Sequence, residues 1–164
     1  MTKPFVLRPV CVDDQAFLGA LYFRSREDLQ FPGADPDFVL QLIKMQQQAQ
    51  LNGFQQLFPE ARHWVIEKAS SAEPVGRAVI NYGKNELRLV DIAVMPEHRR
   101  TGVGRFVLVA LQQQASAGPC VVRLAVSKTN HAARQLYLGL GFGIDSADEL
   151  FEQMLWRPFL PKNE

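Results

Sequence analysis

The sequence predicts a mixed α/β fold of three layers, with helices covering both faces of a mostly antiparallel sheet. Two observations carry this. Short strand-like runs and helix-period runs follow one another in the order β α α β β β α β α β β over 164 residues. The strongly apolar runs 86–95 and 120–127 are separated by a helical stretch at 101–118, a crossover that implies one parallel pair in an otherwise antiparallel sheet. The length predicts a single domain over 1–164, and no repeat, low-complexity tract or linker interrupts it.

The elements follow in order. FVLRPV (5–10) reads as a strand. Residues 12–29 read as one helix, with Phe17, Leu21 and Arg24 at helical spacing and Asp13 or Asp14 as cap. Asp35-Pro36 marks the start of a second helix, with Phe38, Leu42, Met45 and Ala49 along its stripe and Asn52-Gly53 as an end or interruption. RHWVIEKA (62–69) and VGRAVINY (75–82) read as an antiparallel hairpin across SSAEP. ELRLVDIAVM (86–95) is apolar on both sides, so it predicts a central strand covered on both faces. A helix at 101–118, a strand at 120–127, a helix at 130–141 and two strands within 142–158 complete the chain.

Composition excludes several classes. Apolar content of 47% and charged content of 21% are those of a folded globular chain. A formal net charge of +1 gives no field that favours nucleic acid or an anionic membrane, so any anion site must be local. Cys11 and Cys120 lack metal-ligand spacing and fit reduced thiols, and no metal site is expected. MTKPFVLRPV has no apolar core of signal-peptide length, and no apolar run reaches the roughly 20 residues of a membrane span. These points predict a cytoplasmic setting.

The sharpest feature is EHRRTGVGRF, 97–106. It leaves an apolar strand, passes arginines and two glycines, and enters a helix. A helix N-terminus carries unpaired N–H groups and about half a positive charge, which suits an anion. Gly102 and Gly104 remove side chains where backbone would touch a phosphate, Val103 between them can enter the core, and Arg99, Arg100 and Arg105 add charge. A plain strand-to-helix connection would use the same glycines. A dinucleotide fingerprint does not fit, because G-x-G is present without the third glycine or the acidic residue after the next strand.

DIAVMPEHRRTGVGRF resembles the acyl-CoA loop of the GNAT acetyltransferase superfamily, whose pattern R/Q-x-x-G-x-G/A is met by Arg99, Gly102 and Gly104. NHAARQLYLGLGF (130–142) is similar to that family's Asn…LY-x-x-LGF segment, and the two motifs stand in the family's order. The element order agrees over almost the whole chain. The resemblance implies a sheet splayed between the strands at 86–95 and 120–127, with acetyl-CoA as acyl donor. The coenzyme's arm would run along Ile92, Ala93 and Val94, and its pyrophosphate would sit in the cradle of Arg99, Arg100, Thr101, Gly102, Val103, Gly104 and Arg105. Asn130 would bond the arm or simply cap its helix. Tyr137, two turns further on, would protonate the departing thiolate; a phenol with a pKa near ~10 carries the proton needed. Alternatively it is a core aromatic with a locally bonded hydroxyl.

The proton acceptor is less defined. Family glutamates are replaced here by Arg88 and Ala125. Asp91, Glu86 and His63 remain as candidates, with Asp91 preferred, and a water relay would also serve an exposed amine. Asp91 fits a structural acid bonded to backbone or arginine equally well. Cys120 lacks a visible base and is not read as a nucleophile. Arg88 is a candidate to pair with an acidic group of the substrate. The function expected is direct transfer of acetyl from acetyl-CoA to a primary amine of a small molecule or peptide. The alternative is a non-catalytic acyl-CoA-binding module of the same fold. A nucleic-acid-binding domain would need a basic stripe beyond the turn, which the sequence lacks. The aromatic-rich stretch 150–160 could pair across a homodimer.

Overall fold

A computed structural model describes residues 3–159. Leu160, the last residue of the stretch read as a pairing strand, lies outside them. Seven strands join in the order β1-β2-β3-β4-β5-β7-β6. They are β1 Phe5–Pro9, β2 Arg62–Lys68, β3 Pro74–Tyr82, β4 Glu86–Val94, β5 Val121–Ser127, β6 Gly143–Ala147 and β7 Phe151–Trp156. The α-helices are α1 Gln15–Ser25, α2 Pro36–Leu57, α3 Val103–Ala117 and α4 His131–Gly139. This is the mixed α/β class expected. β1 and β2, β5 and β7, and β6 and β7 pair antiparallel, while β4 and β5 pair parallel. The parallel register runs from Glu86↔Val121 to Leu89↔Leu124, and β4 continues to Val94 beyond it.

The chain divides into two compact units, one of residues 1–79 and 91–103, the other of 80–90 and 104–164. In the first, β1 meets β2 in the register Phe5↔Lys68 to Pro9↔Trp64. The first predicted helix is shorter than expected: a 3-10 turn at Val12–Asp14 precedes α1, and another at Glu27–Leu29 follows it. Asp14 sits at the cap position of α1 without capping through its side chain. Its buried carboxylate instead takes two bonds from Arg8, at 2.7 and 2.8 Å, and one from the Cys11 N–H at 2.8 Å. The same guanidinium donates to Glu67 at 2.7 Å. Asp14 is therefore held well below the usual carboxylate range, chiefly by Arg8.

Asp35 caps α2 by accepting from the Asp37 N–H at 3.0 Å, and Pro36 takes the first helical position. The predicted stripe is one residue out of phase. Phe38 and Met45 are 64% and 70% exposed, whereas Val39 and Ile43 are buried. Nor does Asn52-Gly53 break the helix, which continues to Leu57. A glycine there lowers helix propensity by about 1 kcal/mol without blocking the ladder, so flanking good formers carry the helix through.

In the second unit the core gathers Leu87 and Leu89 of β4, Val122, Leu124 and Val126 of β5, and Val107, Leu108 and Leu111 of α3. The opposite side of β4 is only half-buried at Glu86, Arg88 and Val90, so the strand is not sealed on both faces as expected. Glu86 and Asp145 both meet Arg123, at 2.7 and 2.9 Å. A register shift between Ile144 and Ser146 sets Asp145 at an irregularity of β6. Glu152, buried on β7, is neutralised by Arg134 of α4 at 2.7 Å. Among the described residues, no helix is long and apolar enough to cross a membrane.

Candidate active site

The turn between β4 and α3 is built from a strand that has to stop and a helix that has to start. Pro96 cannot extend a ladder, and Pro96–His98 form one 3-10 turn instead. Two contacts fasten that turn within the first unit. Arg24 Nη1 donates to Glu97 Oε2 at 2.6 Å, and His98 Nε2 lies 3.3 Å from Glu73 Oε1. Arg99 is extended, and the backbone then reverses. Arg100 takes φ +63°, which a residue with a Cβ seldom adopts, and Gly102 takes φ +90°. The Thr101 hydroxyl donates to the His98 carbonyl at 2.5 Å.

Val103 then enters the core, being 2% exposed, which sets the start of α3 as the sequence suggested. The two glycines differ. Gly102 supplies the positive φ, and a Cβ there would meet nothing within 4 Å. Gly104 is in α3 and does not take a positive φ; a Cβ on it would lie 3.4 Å from Leu136 of α4. The left-handed conformation in this turn is thus taken by Arg100 and Gly102, not by Gly104. Arg99, Arg100 and Arg105 are exposed, and among the described residues none of the three pairs with a carboxylate. Cations near the first turn of a helix are of the sign that a multiply charged anion needs, and the first amides of a helix lack partners within it.

Ile92, Ala93 and Val94 are half-buried and lie past the last β4–β5 pair. On the β3 side, the Met95 N–H donates to the Val75 carbonyl at 2.8 Å. Gly76 lies so close that a Cβ on it would stand 2.5 Å from the Ala93 carbonyl oxygen. A glycine is required there to let two backbones approach.

Asp91 is joined to Arg77 by an ion pair. Arg77 is 5% exposed; its guanidinium stacks 5.7 Å from the Phe54 ring centroid and reaches Gln50 at 3.4 Å. Its Nε is buried and has no hydrogen-bond partner among the described residues. His63 belongs to the same cluster: its ring lies 6.2 Å from that of Phe54, and burial, then the charge of Arg77, push its pKa down while Asp91 acts the other way. His63 is thus half-buried at the start of β2. The structure brings Asp91 and His63 together around Arg77. Arg77 was not singled out from the sequence, although an arginine inside the apolar run VGRAVINY was a visible signal.

In the second unit, Glu86 is committed to Arg123, and Arg88 Nη2 donates to Gln153 Oε1 at 3.1 Å. Asn130 caps α4, its side-chain oxygen accepting from the Ala133 N–H at 3.3 Å. Tyr137 is 7% exposed, with its ring 6.1 Å from Phe142. Ala125 is exposed, and Cys120, half-exposed just before β5, is a free thiol, as is Cys11.

Comparison with known proteins agrees with this architecture. The model of the acetyltransferase (GNAT) family matches residues 20–142. No curated protein matches the sequence significantly. Among solved structures, the fold is similar to PaiA N-acetyltransferase from Thermoplasma acidophilum in complex with coenzyme A, at TM-score 0.67 and 16% identity, covering 94% of this chain and 99% of that one. It is similar to the ribosomal-protein-S18-alanine N-acetyltransferase from Escherichia coli, at TM-score 0.65 and 18% identity over 98% of each chain. Ard1 from Thermoplasma volcanium gives TM-score 0.63 and 21% identity, covering 96% of this chain and all of the other. Identities this low speak for the fold alone. The family match spans three quarters of the sequence, and on it the chain belongs to the acetyltransferase (GNAT) family.

Proposed function

We propose that the protein is an N-acetyltransferase that moves acetyl from acetyl-CoA to a primary amine of a small molecule or peptide. The observation that carries this is the turn 99–105: Arg100 and Gly102 take the left-handed conformation, Arg99 and Arg100 precede α3, Arg105 stands in its first turn, and among the described residues none of the three arginines pairs with a carboxylate. The backbone amides of Arg100 through Arg105, with Arg99 nearby, bind the pyrophosphate. The arm's two amides bond the main chain of Ile92, Ala93 and Val94, which lies beyond the β4–β5 register and has groups to offer. The Asn130 side-chain oxygen is engaged as a cap, so its amide NH2 is the group that bonds the arm.

The acceptor's nitrogen lone pair attacks the thioester carbonyl. The C–N bond forms, the oxyanion is met by the main-chain N–H near Val94, and the C–S bond then breaks. The electron pair leaves on sulfur, and Tyr137 delivers a proton to the thiolate. The amine's proton passes to Asp91 or, through water, to solvent. Arg88 receives an acidic group of the acceptor. The test is thiol release with acetyl-CoA and a panel of amines, including diamines, amino-acid amides and N-terminal peptides.

A second reading, a non-catalytic acyl-CoA-binding module, is favoured by two observations: Asp91 is already paired with Arg77, and the family's two glutamate positions hold Arg88 and Ala125. Coenzyme affinity without thiol release for any amine would select that reading.

A further inference from the structure

A crevice of about 570 Å³ opens in the first unit between α1 and α2. It exists because α1 presents Ala16, Gly19 and Ala20 at successive turns, side chains too small to fill the space facing Leu40 and Ile43 of α2. A Cβ on Gly19 would meet nothing within 4 Å. The volume lies within the range of small-ligand sites.

The charge in its lining is one-sided. Arg24 and Lys44 contribute, and no acid does. Among the described residues Lys44 pairs with no carboxylate. Arg24 is already bound to a carboxylate, that of Glu97, through an exposed contact of 2.6 Å. The guanidinium can therefore exchange one carboxylate for another at small cost, since an exposed pair is worth ~1 kcal/mol or less.

We propose that this crevice binds a small amphipathic carboxylate, its short apolar tail lying between α1 and α2 and its head paired with Arg24 and Lys44. Small walls leave room for the tail, and the charge of Lys44, which pairs with no carboxylate among the described residues, selects the sign of the head. Glu97 is the internal competitor for Arg24.

The proposal is tested by isothermal titration with sodium octanoate and, as the charge-reversed control, n-octylamine. Octanoate should bind with a dissociation constant on the order of 0.1–1 mM, and octylamine at least about 10-fold more weakly. Gly19→Leu, which raises helix propensity while filling the crevice, should abolish octanoate binding. Should it fail to fold, Ala20→Leu makes the same test. Glu97→Gln should tighten octanoate binding several-fold by freeing Arg24, a change a merely structural groove would not produce. No heat from octanoate, equal binding of octanoate and octylamine, or octanoate affinity unchanged by the filling variants would each overturn the proposal.

Discussion

Gly76→Ala places one methyl group against the backbone that the coenzyme's arm is proposed to follow. The new Cβ would sit 2.5 Å from the Ala93 carbonyl oxygen, with Ile66 Cδ1 and Val94 Cα each at 3.4 Å. An ordinary C···O contact is roughly 3.3 Å, so main chain must move by about 0.8 Å, with neighbours on two further sides limiting the escape. Forced overpacking of this kind costs about 1–3 kcal/mol. For a chain of this size that is a fall in Tm of about 2–12 °C. If the arm runs along Ala93 as proposed, displacing that residue also misplaces the acyl group, and an error near 1 Å can reduce turnover by about 100-fold. The assays are a thermal melt and the thiol-release rate at saturating amine. Gly53→Ala is the control: its Cβ would meet nothing within 4 Å, it lies within α2, and it should raise Tm by a few degrees with activity unchanged. A Gly76→Ala protein with the parent Tm and rate would show that the close approach constrains nothing.

Other outcomes follow from the same structure. Tyr137→Phe should lower kcat by about 10²–10⁴-fold while acetyl-CoA affinity changes little, read by steady-state kinetics beside calorimetry. Arg88→Ala should raise KM for acidic acceptors and leave neutral ones unaffected. Asp14→Asn should lower Tm near pH 7, where the ionised Asp14 is held by Arg8. Because the folded pKa is depressed, Asp14's contribution is present above its unfolded pKa of about 4 and is lost as pH falls through its folded value. The Tm gap between parent and Asp14→Asn should therefore narrow as pH is lowered from 7 toward 3.

The fold was largely legible, because strand and helix periods and the crossover between β4 and β5 are local or near-local signals. Where the reading slipped, longer-range packing decided. The phase of α2 is not legible in the sequence, because Phe38 and Met45 are apolar yet exposed, while Val39 and Ile43 take the buried positions. Asp14 looked like a cap, but Arg8 on β1 outbids the helix for its carboxylate. Within the candidate site, the glycine turn was readable because Gly102 and the arginines are contiguous. The surroundings of Asp91 were not, since Arg77, Phe54 and His63 come from three different elements and meet only after the strands align. Even so, Asp91 bonded to arginine was one of the two roles its position suggested.

The proposed function requires that the turn before α3 bind the coenzyme's pyrophosphate. The most direct measurement is calorimetric titration of acetyl-CoA into the parent protein and into Arg105→Glu, a variant whose new carboxylate suits the first turn of a helix and so should leave the fold intact. Saturable binding by the parent is expected, weakened at least about 10-fold by the reversal of charge. No binding by folded parent protein, or equal affinity in the two, would contradict it.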